Sequence, residues 1–290
     1  MKKVMGLVLA VIMAMLLATG CMTKKYEYVV LEEALSDEQY GIGFRKADQA
    51  LRDEVQKILV EMKKDGKLAE ITEKWFGEDT STVPDTFTPT GSTDDSLTKI
   101  KEKGELVLGL DSSFPPMGYK DSKGDIIGYD IDLATEVCKR MNVKLKLQPI
   151  VWAQNVTELN TGRIDCIWNG MTINDERDEK MNLSLSYMNN RQVVITLKDS
   201  GISKLTDLKD KTVVLQTGST ANDALNDRDD IKKIIKGGKA TSVGNNILAM
   251  YELQKGRSDA VVMDEIVARY YIERPDELKT EAEKINSDAD

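Results

Sequence analysis

The chain has 290 residues, and its 49 acidic against 40 basic side chains give a formal net charge of −9 at pH 7. This length allows one large or two modest domains, and the negative charge argues against a nucleic-acid partner. Histidine is absent, which removes the commonest general base and the commonest metal ligand, and nothing in the sequence replaces it in a zinc site or a Ser-His-Asp triad. We therefore expect no metal and no cofactor.

The first segment of the chain has the features of an export signal. Two lysines, Lys2 and Lys3, precede an almost wholly apolar run at 4–17, which is too short for a membrane span. Residues 18–21, Ala-Thr-Gly-Cys, resemble a bacterial lipobox, in which the cysteine is acylated after cleavage, although alanine stands where leucine is usual. Residues 1–21 are thus interpreted as a lipoprotein signal peptide with Cys21 as the lipidation site. The alternative is a plain secreted protein with an incidental cysteine.

Helical spacing marks the next region of the chain. Apolar residues recur at 51, 55, 58, 59 and 62, and a second helix is predicted over 68–76, where Gly77 ends it. From 78 to 95 this pattern gives way to Thr, Ser, Pro, Gly and Asp, a composition typical of a linker. The predicted linker therefore lies inside the chain, between two ordered regions.

Beyond the linker, short apolar strands alternate with helices. Strands are predicted at 106–110, 144–148, 166–168, 212–215 and 260–263, and helices at 133–141, 220–226, 247–255 and 265–272. Such alternation indicates an α/β fold with parallel sheets and helices on both faces, in which ligands bind beyond the carboxyl ends of the strands. Cys138 and Cys166 have no metal or redox spacing, so we expect buried free thiols, with a disulfide as the alternative.

Polar residues follow several of these predicted strands. They are Asp111 after the first strand, Asn169, Gly170 and Thr172 after the strand at 166–168 with Arg177 shortly beyond, Ser219 and Thr220 at the start of a helix, and Asp264 after the last strand. The set contains no nucleophile paired with a base. An arginine, two aspartates, small hydroxyls and a helix N-terminus together suit recognition of a zwitterion.

Four longer motifs point to a known family. They are Gly-Tyr-Asp-Ile-Asp-Leu at 128–133, Gly-Met-Thr-Ile-Asn-Asp-Glu-Arg at 170–177, Tyr-Gly-Ile-Gly-Phe at 40–44 and Glu-Lys-Trp-Phe-Gly at 73–77. On these motifs the chain resembles the family 3 solute-binding proteins, the polar amino-acid receptors of ABC importers. The resemblance implies the two-lobed type II periplasmic-binding-protein (Venus flytrap) fold, with two Rossmann-like α/β lobes joined by two crossover strands.

The order of these motifs departs from the family. The segments at 40–44 and 73–77, which come last in the family, here come first, so we interpret the chain as circularly permuted, with a gene-fusion or assembly artefact as the alternative. The predicted organisation is residues 26–36 as a strand of lobe two, 37–77 and 97–190 as lobe one, 78–95 as the linker, 193–278 as lobe two, and 279–290 as a loose charged tail. Strands near 39–44 and 191–197 are predicted to cross between the lobes, and residues 29–31 to pair with strands from the far end of the chain.

The resemblance implies roles for the residues that would hold the α-carboxylate and α-ammonium groups. Arg177 would bind the carboxylate with two parallel bonds, aided by backbone N–H groups of Ser219 and Thr220. Asp264 would take the ammonium, together with the Gly170 carbonyl and the Thr172 hydroxyl. The alternatives are a surface arginine in a charged run for Arg177 and simple helix capping for Asp264, Ser219 and Thr220.

The resemblance also implies which residues surround the ligand side chain. Phe114 and Trp152 resemble the aromatic pair that encloses it, with a place in the core as their alternative. Asp111 would face its distal end, assisted by Asn169, and this acceptor favours an amide or basic side chain over a carboxylate. The alternative for Asp111 is stabilisation of its own turn.

The implied function is capture of a polar L-amino acid, glutamine-like or basic, by lobe closure and its delivery to ABC permease subunits. The protein would act as a monomer outside the cytoplasm, attached through acylated Cys21 to the lipid bilayer at the outer face of the cytoplasmic membrane. Two other classes remain: a ligand-sensing domain for a membrane receptor, and an enzyme like the cyclohexadienyl dehydratases that share this fold. The lack of a catalytic acid or base in the motifs favours a binding protein over an enzyme.

Overall fold

The computed structural model of the chain describes residues 26–278. The predicted signal peptide, its Cys21 and the charged tail at 279–290 lie outside the described residues. No helix within residues 26–278 combines the length and the apolar run that crossing a bilayer would need.

Thirteen strands and ten α-helices lie wholly within residues 26–278, and a further helical stretch covers 275–278 at the end of the described residues. The strands are β1 Tyr28–Val30, β2 Ser36–Phe44, β3 Glu105–Leu110, β4 Ser113–Phe114, β5 Gly118–Lys120, β6 Ile126–Ile127, β7 Lys144–Pro149, β8 Cys166–Thr172, β9 Asn182–Leu183, β10 Met188–Leu197, β11 Val213–Gln216, β12 Thr241–Val243 and β13 Ala260–Asp264. The helices are α1 Gln49–Lys64, α2 Lys67–Phe76, α3 Ser96–Lys103, α4 Tyr129–Met141, α5 Asn155–Asn160, α6 Asp175–Lys180, α7 Ala221–Asp227, α8 Asp229–Lys232, α9 Asn246–Gln254 and α10 Glu265–Glu273. Single 3₁₀ turns lie at Trp152–Gln154, Lys198–Ser200, Leu205–Leu208 and Lys236–Gly238.

One mixed sheet runs through the molecule in the order β12-β11-β13-β10-β2-β8-β3-β7, with β1 added beside β10 and β9 beside β2. The pairs β11–β12, β11–β13, β3–β7 and β3–β8 are parallel, as the alternation of strands and helices predicts. The strands β4, β5 and β6 form a separate small sheet. The fold is therefore the predicted mixture of strands and helices, with a parallel group at each end of the main sheet.

The middle of the main sheet is antiparallel, which the prediction of purely parallel sheets missed. Here β2 and β10 pair with each other. On its other edge β2 pairs with β8, and on its other edge β10 pairs with β13. Each strand thus belongs to both halves of the sheet, so we call β2 and β10 the crossing strands. They are longer than the predicted 39–44 and 191–197, and β1 pairs with β10 in the register Val29↔Thr196.

Strand β8 is also longer than predicted. The predicted strand at 166–168 extends to Thr172, because the crossing strand β2 pairs with it up to Tyr40↔Thr172. Asn169, Gly170 and Thr172 therefore lie within the strand, not after it. Such pairing depends on a strand more than 120 residues earlier in the chain, so local sequence carried no signal for it.

The segment predicted as the linker packs against helix α1. Thr90 donates both its N–H and its hydroxyl to Asp53, each at 2.6 Å, and the N–H of Ala50 donates to Asp94 at 2.7 Å. Val83 is fully buried, and Ser81 forms an isolated bridge with Met188 at the start of a crossing strand. Although it has no helix or strand of its own, this segment is tied to the domain by specific contacts.

Both described cysteines, Cys138 on α4 and Cys166 on β8, are free and buried. Burial raises the pKa of the Cys138 thiol to about 12 and that of Cys166 well above its usual range. Two neutral thiols in the core agree with the expected packing role rather than the disulfide.

Candidate functional site

Four of the predicted site residues, Thr172, Arg177, Ser219 and Thr220, line a cleft whose floor is formed by the crossing strands. Alternation along an antiparallel pair places Glu38 and Tyr40 of β2 on the same face as Asn190 and Gln192 of β10, since Glu38 pairs with Asn190. The next strand, β13, places Asp264 opposite Gln192. Polar groups of both halves of the sheet therefore converge at this floor.

Arg177 lies on the short helix α6 at one wall of the cleft. Asn174 begins this helix, and its Oδ1 accepts the N–H of Arg177 at 2.9 Å. The guanidinium donates from Nη1 to the Thr172 carbonyl at 2.7 Å, and its Cζ lies 5.9 Å from the ring centroid of Trp152. Burial lowers the pKa of Arg177, while the carboxylates of Glu38 and Asp264 act in the opposite direction. The arginine thus stands in the cleft and not on an open surface.

Asp264 ends strand β13 and is buried at 5% exposure. Although it precedes helix α10, its side chain makes no capping bond to that helix. Its Oδ1 accepts from the Tyr40 hydroxyl and from Asn190 Nδ2, both at 2.7 Å. Burial, together with repulsion from Glu38, raises the pKa of Asp264 to about 7. The carboxylate therefore faces the cleft floor, which is not the geometry of the capping alternative.

The sequence did not point to Glu38, Tyr40, Asn190 and Gln192. The Oε2 atom of Glu38 accepts from Thr172 Oγ1 at 2.9 Å and from the amides of Asn190 and Gln192 at 3.0 Å each. These residues lie on strands that were predicted only as connections between lobes. Residues 36–39, Ser-Asp-Glu-Gln, and 189–192, Asn-Asn-Arg-Gln, are polar without interruption, so alternation gave no signal for which side chains face the cleft.

Gly170 adopts a conformation that only glycine adopts easily, with φ at +58°. A Cβ atom at this position would lie 2.8 Å from Phe114 Cε1 and 3.1 Å from Tyr40 Cε2, so both rings pack directly on its backbone. Asp130 holds that backbone in place, because its Oδ2 accepts the N–H of Gly170 at 2.8 Å and the hydroxyl of Tyr187 at 3.0 Å. Phe114 is thereby positioned beside the backbone of β8, where it is buried and belongs to the main hydrophobic cluster, as its core alternative predicts.

The Asp111 carboxylate is saturated by protein donors. Its Oδ1 accepts the N–H of Ser113 at 2.9 Å and its hydroxyl at 2.5 Å, and Asn169 Oδ1 accepts the N–H of Asp111 at 2.8 Å. Its Oδ2 accepts from Gln216 Nε2 at 2.7 Å. Burial raises the pKa of Asp111. The turn that was the alternative for Asp111 is present, and Gln216, which sequence reasoning missed, links it to the other half of the sheet.

Ser219 and Thr220 precede helix α7 on the opposite wall. The N–H of Ser219 is already bonded to the Gln216 carbonyl at 3.3 Å, and its hydroxyl donates to the same carbonyl at 2.8 Å. The Thr220 Oγ1 lies 3.2 Å from Thr172 Oγ1, and its side chain makes no capping bond. A Cβ atom on Gly218 would lie 2.9 Å from Ala153 Cα. The two walls are therefore in contact, with Thr172 and Thr220 facing each other.

Two cavities flank this contact. One, of about 420 Å³, is lined by Arg177, Ser219 and Ala153, and the other, of about 860 Å³, by Glu38, Asn190 and Thr220. Asn174 and Asp223 line both cavities, so the two adjoin. Volumes of this size accommodate small organic molecules.

Comparisons with known proteins agree on one family. The family model of the bacterial extracellular solute-binding proteins, family 3, matches residues 10–78 and 106–274. The L-cystine-binding protein TcyJ of Escherichia coli strain K12 is 28% identical over 174 residues, which are 59% of this chain and 63% of that protein, so the match spans less than two thirds of this relative.

Two solved structures extend the comparison. The substrate-binding protein of an ABC uptake transporter from Streptococcus pneumoniae, solved with bound histidine, is 36% identical with a TM-score of 0.61, covering 63% of this chain and 74% of that one. An ancestral amino acid-binding protein, AncCDT-1, which is a precursor of cyclohexadienyl dehydratase, is 35% identical with a TM-score of 0.57, covering 61% of this chain and 78% of that one.

Proposed function

Since the chain belongs to family 3 of the bacterial extracellular solute-binding proteins, we propose that it captures a polar L-amino acid and delivers it to the permease of an ABC importer. The main support for this proposal is that Arg177, Thr172 and Asp264 lie around one cleft between the two halves of the sheet. These groups complement a carboxylate and an ammonium held side by side. Similarity to proteins that bind cystine and histidine supports an amino acid as the ligand.

In this proposal Arg177 binds the ligand carboxylate. A guanidinium has five N–H donors, and the bond to the Thr172 carbonyl uses one of them. Trp152 beneath the guanidinium fixes its plane, and Phe114 beside Gly170 supplies the second aromatic wall for the ligand side chain. Asp264, Thr172 and the Gly170 carbonyl receive the ammonium. Thr220 supports the carboxylate from the opposite wall, while Ser219, whose N–H and hydroxyl bond the Gln216 carbonyl, shapes the turn before helix α7. Asp111 with Asn169 marks the distal end.

We further propose that binding is coupled to closure of two lobes, 37–77 with 97–190 and 26–36 with 193–278. Arg177 and Thr172 would belong to lobe one, and Thr220 and Asp264 to lobe two, so a bound zwitterion would contact both. The crossing strands offer the place for bending. The closed form would be the one that a permease recognises.

Permuted order and lipid anchoring complete the proposal. The family match in two segments separated by 79–105 is what joining the family's usual termini through the linker would produce, and alignment over 174 residues to one relative is close to the length of 97–278. Strand β1 beside β10 would place the start of the fold in lobe two, next to the proposed lipid on Cys21. The protein would thus act as a lipid-anchored monomer on the outer face of the cytoplasmic membrane.

The proposal is tested by titration calorimetry of a soluble form that begins at Lys24, using each of the twenty amino acids as ligand. The same titrations are repeated with the Arg177→Ala variant. Loss of a charged, hydrogen-bonded partner predicts affinity at least about 100-fold lower. Arg163→Ala is the matched control, because Arg163 is an exposed arginine paired only with Glu158 among the described residues, and it should leave affinity unchanged. Absence of binding by a folded protein would refute the proposal. Turnover of a bound compound would favour the dehydratase-like alternative, and binding without import would favour the receptor-sensing alternative.

A further inference from the structure

Glu38 occupies the centre of the cleft floor, next to the proposed ammonium site. Its carboxylate oxygen Oε2 is shared by three donors, the hydroxyl of Thr172 and the side-chain amides of Asn190 and Gln192, at 2.9 to 3.0 Å. The residue is half-buried and lines the 860 Å³ cavity. Its side chain is therefore held by the protein while remaining accessible from the cleft.

Glu38 and Asp264 form a pair of neighbouring carboxylates. They share one donor, Asn190 Nδ2, which lies 3.0 Å from Glu38 Oε2 and 2.7 Å from Asp264 Oδ1. Within residues 26–278 neither carboxylate forms an ion pair with a lysine or an arginine. Arg177, Asp223 and Glu176 are charged groups nearby, and Tyr40 is the adjoining titratable one. The cavity that Glu38 lines also has four further charged residues, Asp37, Arg191, Asp227 and Glu265. The pair repels itself, so a positive charge placed beside it would be stabilised.

The hydrogen bonds at the floor have a consistent direction. Gln192 Nε2 lies 3.4 Å from Thr220 Oγ1, and Thr220 Oγ1 lies 3.2 Å from Thr172 Oγ1. The Thr172 hydroxyl in turn donates to Glu38. A hydroxyl has one proton, so once Thr172 donates to Glu38 its remaining lone pairs can only accept. Glu38 thereby makes the Thr172 hydroxyl an acceptor for an ammonium group.

The same floor has more acceptors than donors. Asn190 Oδ1 and Gln192 Oε1 have no hydrogen-bond partner among the described residues, and these residues are only 7% and 0% exposed. Buried acceptors without a donor are costly, so a group that brings several N–H donors would satisfy them. A primary ammonium brings three donors and a positive charge, whereas a hydroxyl or a keto oxygen brings one donor or none.

We infer that Glu38 is a positioning residue that selects a ligand with a protonated primary amine, by fixing Thr172 as an acceptor and adding a second carboxylate beside Asp264. This inference rests on the proposed amino-acid function. It implies that α-hydroxy and α-keto acids are rejected at the floor of the cleft and not by the side-chain pocket.

The test compares Glu38→Gln, Glu38→Ala and Glu38→Asp by calorimetry with L-arginine and L-glutamine as probes, using whichever binds the wild type. Glutamine keeps an acceptor for Thr172 without the charge, and alanine removes both. We expect affinity about 10-fold lower for Glu38→Gln and about 100-fold lower for Glu38→Ala, with partial recovery in Glu38→Asp. Glu102→Gln is the matched control, because Glu102 is an exposed glutamate on helix α3 that lines neither cavity, and loss of its charge should change affinity less than about twofold.

The pH dependence of affinity separates this role from a purely structural one. Because Glu38 contributes to the raised pKa of Asp264, the pH at which affinity begins to fall should shift downward in Glu38→Gln and stay unchanged in Glu102→Gln. Equal effects of Glu38→Gln and Glu102→Gln, or unchanged affinity in all three Glu38 variants, would overturn the inference while leaving the amino-acid function standing. If the folded wild type binds none of the twenty amino acids, the function fails and the inference with it.

Discussion

The carboxylates at the two ends of the cleft differ in their hydrogen-bond partners. At the distal end, the oxygens of Asp111 receive three protein hydrogen bonds, two from Ser113 and one from Gln216. At the floor, Asp264 and Glu38 both accept from Nδ2 of Asn190, and neighbouring amide oxygens have no donor among the described residues. Within the same part of the chain, the distal end thus leaves a donor without a partner, Nδ2 of Asn169, whereas the floor leaves acceptors without donors and gathers two carboxylates.

This difference predicts that the two ends contribute to different properties of the protein. A carboxylate that is already satisfied gains little from a ligand, but its bond to Gln216 joins the two halves of the sheet. A carboxylate pair that forms no direct ion pair among the described residues gains a great deal from an ammonium. We therefore expect affinity to depend mainly on the floor, and the balance between open and closed forms to depend on the distal end.

The same substitution at both ends provides the strongest test of this contrast. Asp264→Asn should lower affinity for an amino acid by at least about 100-fold, since an ammonium loses its charged partner in a buried site. Asp111→Asn should lower it by less than about 10-fold, because its present partners are neutral donors. Calorimetry on both variants measures the two losses.

Thermal unfolding of the same variants serves as the control, since both side chains are buried. Equal losses of affinity in two folded variants would contradict the contrast. A larger loss for Asp111→Asn would reverse it and make the distal end the main source of binding energy.

The pH dependence of binding gives a smaller effect at the floor. Burial, with repulsion from Glu38, raises the pKa of Asp264 to about 7. The carboxyl is therefore protonated at pH values where an ordinary aspartate is ionised, and an ammonium binds the ionised form better. Affinity should be highest above about pH 7 and fall by up to roughly tenfold per pH unit below it. Calorimetry from about pH 8 down to about pH 5.5 measures this slope, and Asp264→Asn should remove it; a flat wild-type profile would exclude Asp264 as the ammonium partner.

The distal end and the wall of the cleft could be anticipated from the sequence because the chemistry follows strand ends. Asp111 and Asp264 stand where strands β3 and β13 finish, each in its own parallel group, and ligands bind beyond the carboxyl ends of parallel strands. Arg177 was identified within a motif that resembles the family. Each of these residues could be interpreted from its immediate neighbours in the chain.

Apart from Asp264, the residues of the floor could not be anticipated in the same way. Glu38 meets Asn190 only because two strands about 150 residues apart pair antiparallel in one register, and a shift of that register by one residue would turn both side chains away. The linker gives a second example: its composition indicated its bounds, but the bonds from Thr90 to Asp53 depend on how helix α1 packs. Contacts fixed by tertiary register leave little trace in local sequence.

The smallest expected effect concerns the bond that joins the two halves. In the closed arrangement, Gln216→Ala would leave the buried Asp111 Oδ2 without its 2.7 Å donor, whereas in an open form water could replace that donor. The variant should therefore raise the ratio of open to closed unliganded protein by about fivefold to tenfold. It should lower affinity by no more than this factor, since the ligand then has to restore closure.

Energy transfer between dyes at the exposed positions Lys123 and Lys239, one in each proposed lobe, measures the shift. Gln148→Ala removes an exposed glutamine that bonds only its neighbouring carbonyl among the described residues, and it should change nothing. If the Gln216 variant opens the unliganded protein while its pH profile of binding stays that of the wild type, the two ends act separately; a change in that profile would mean that the distal bond also controls the charge at the floor.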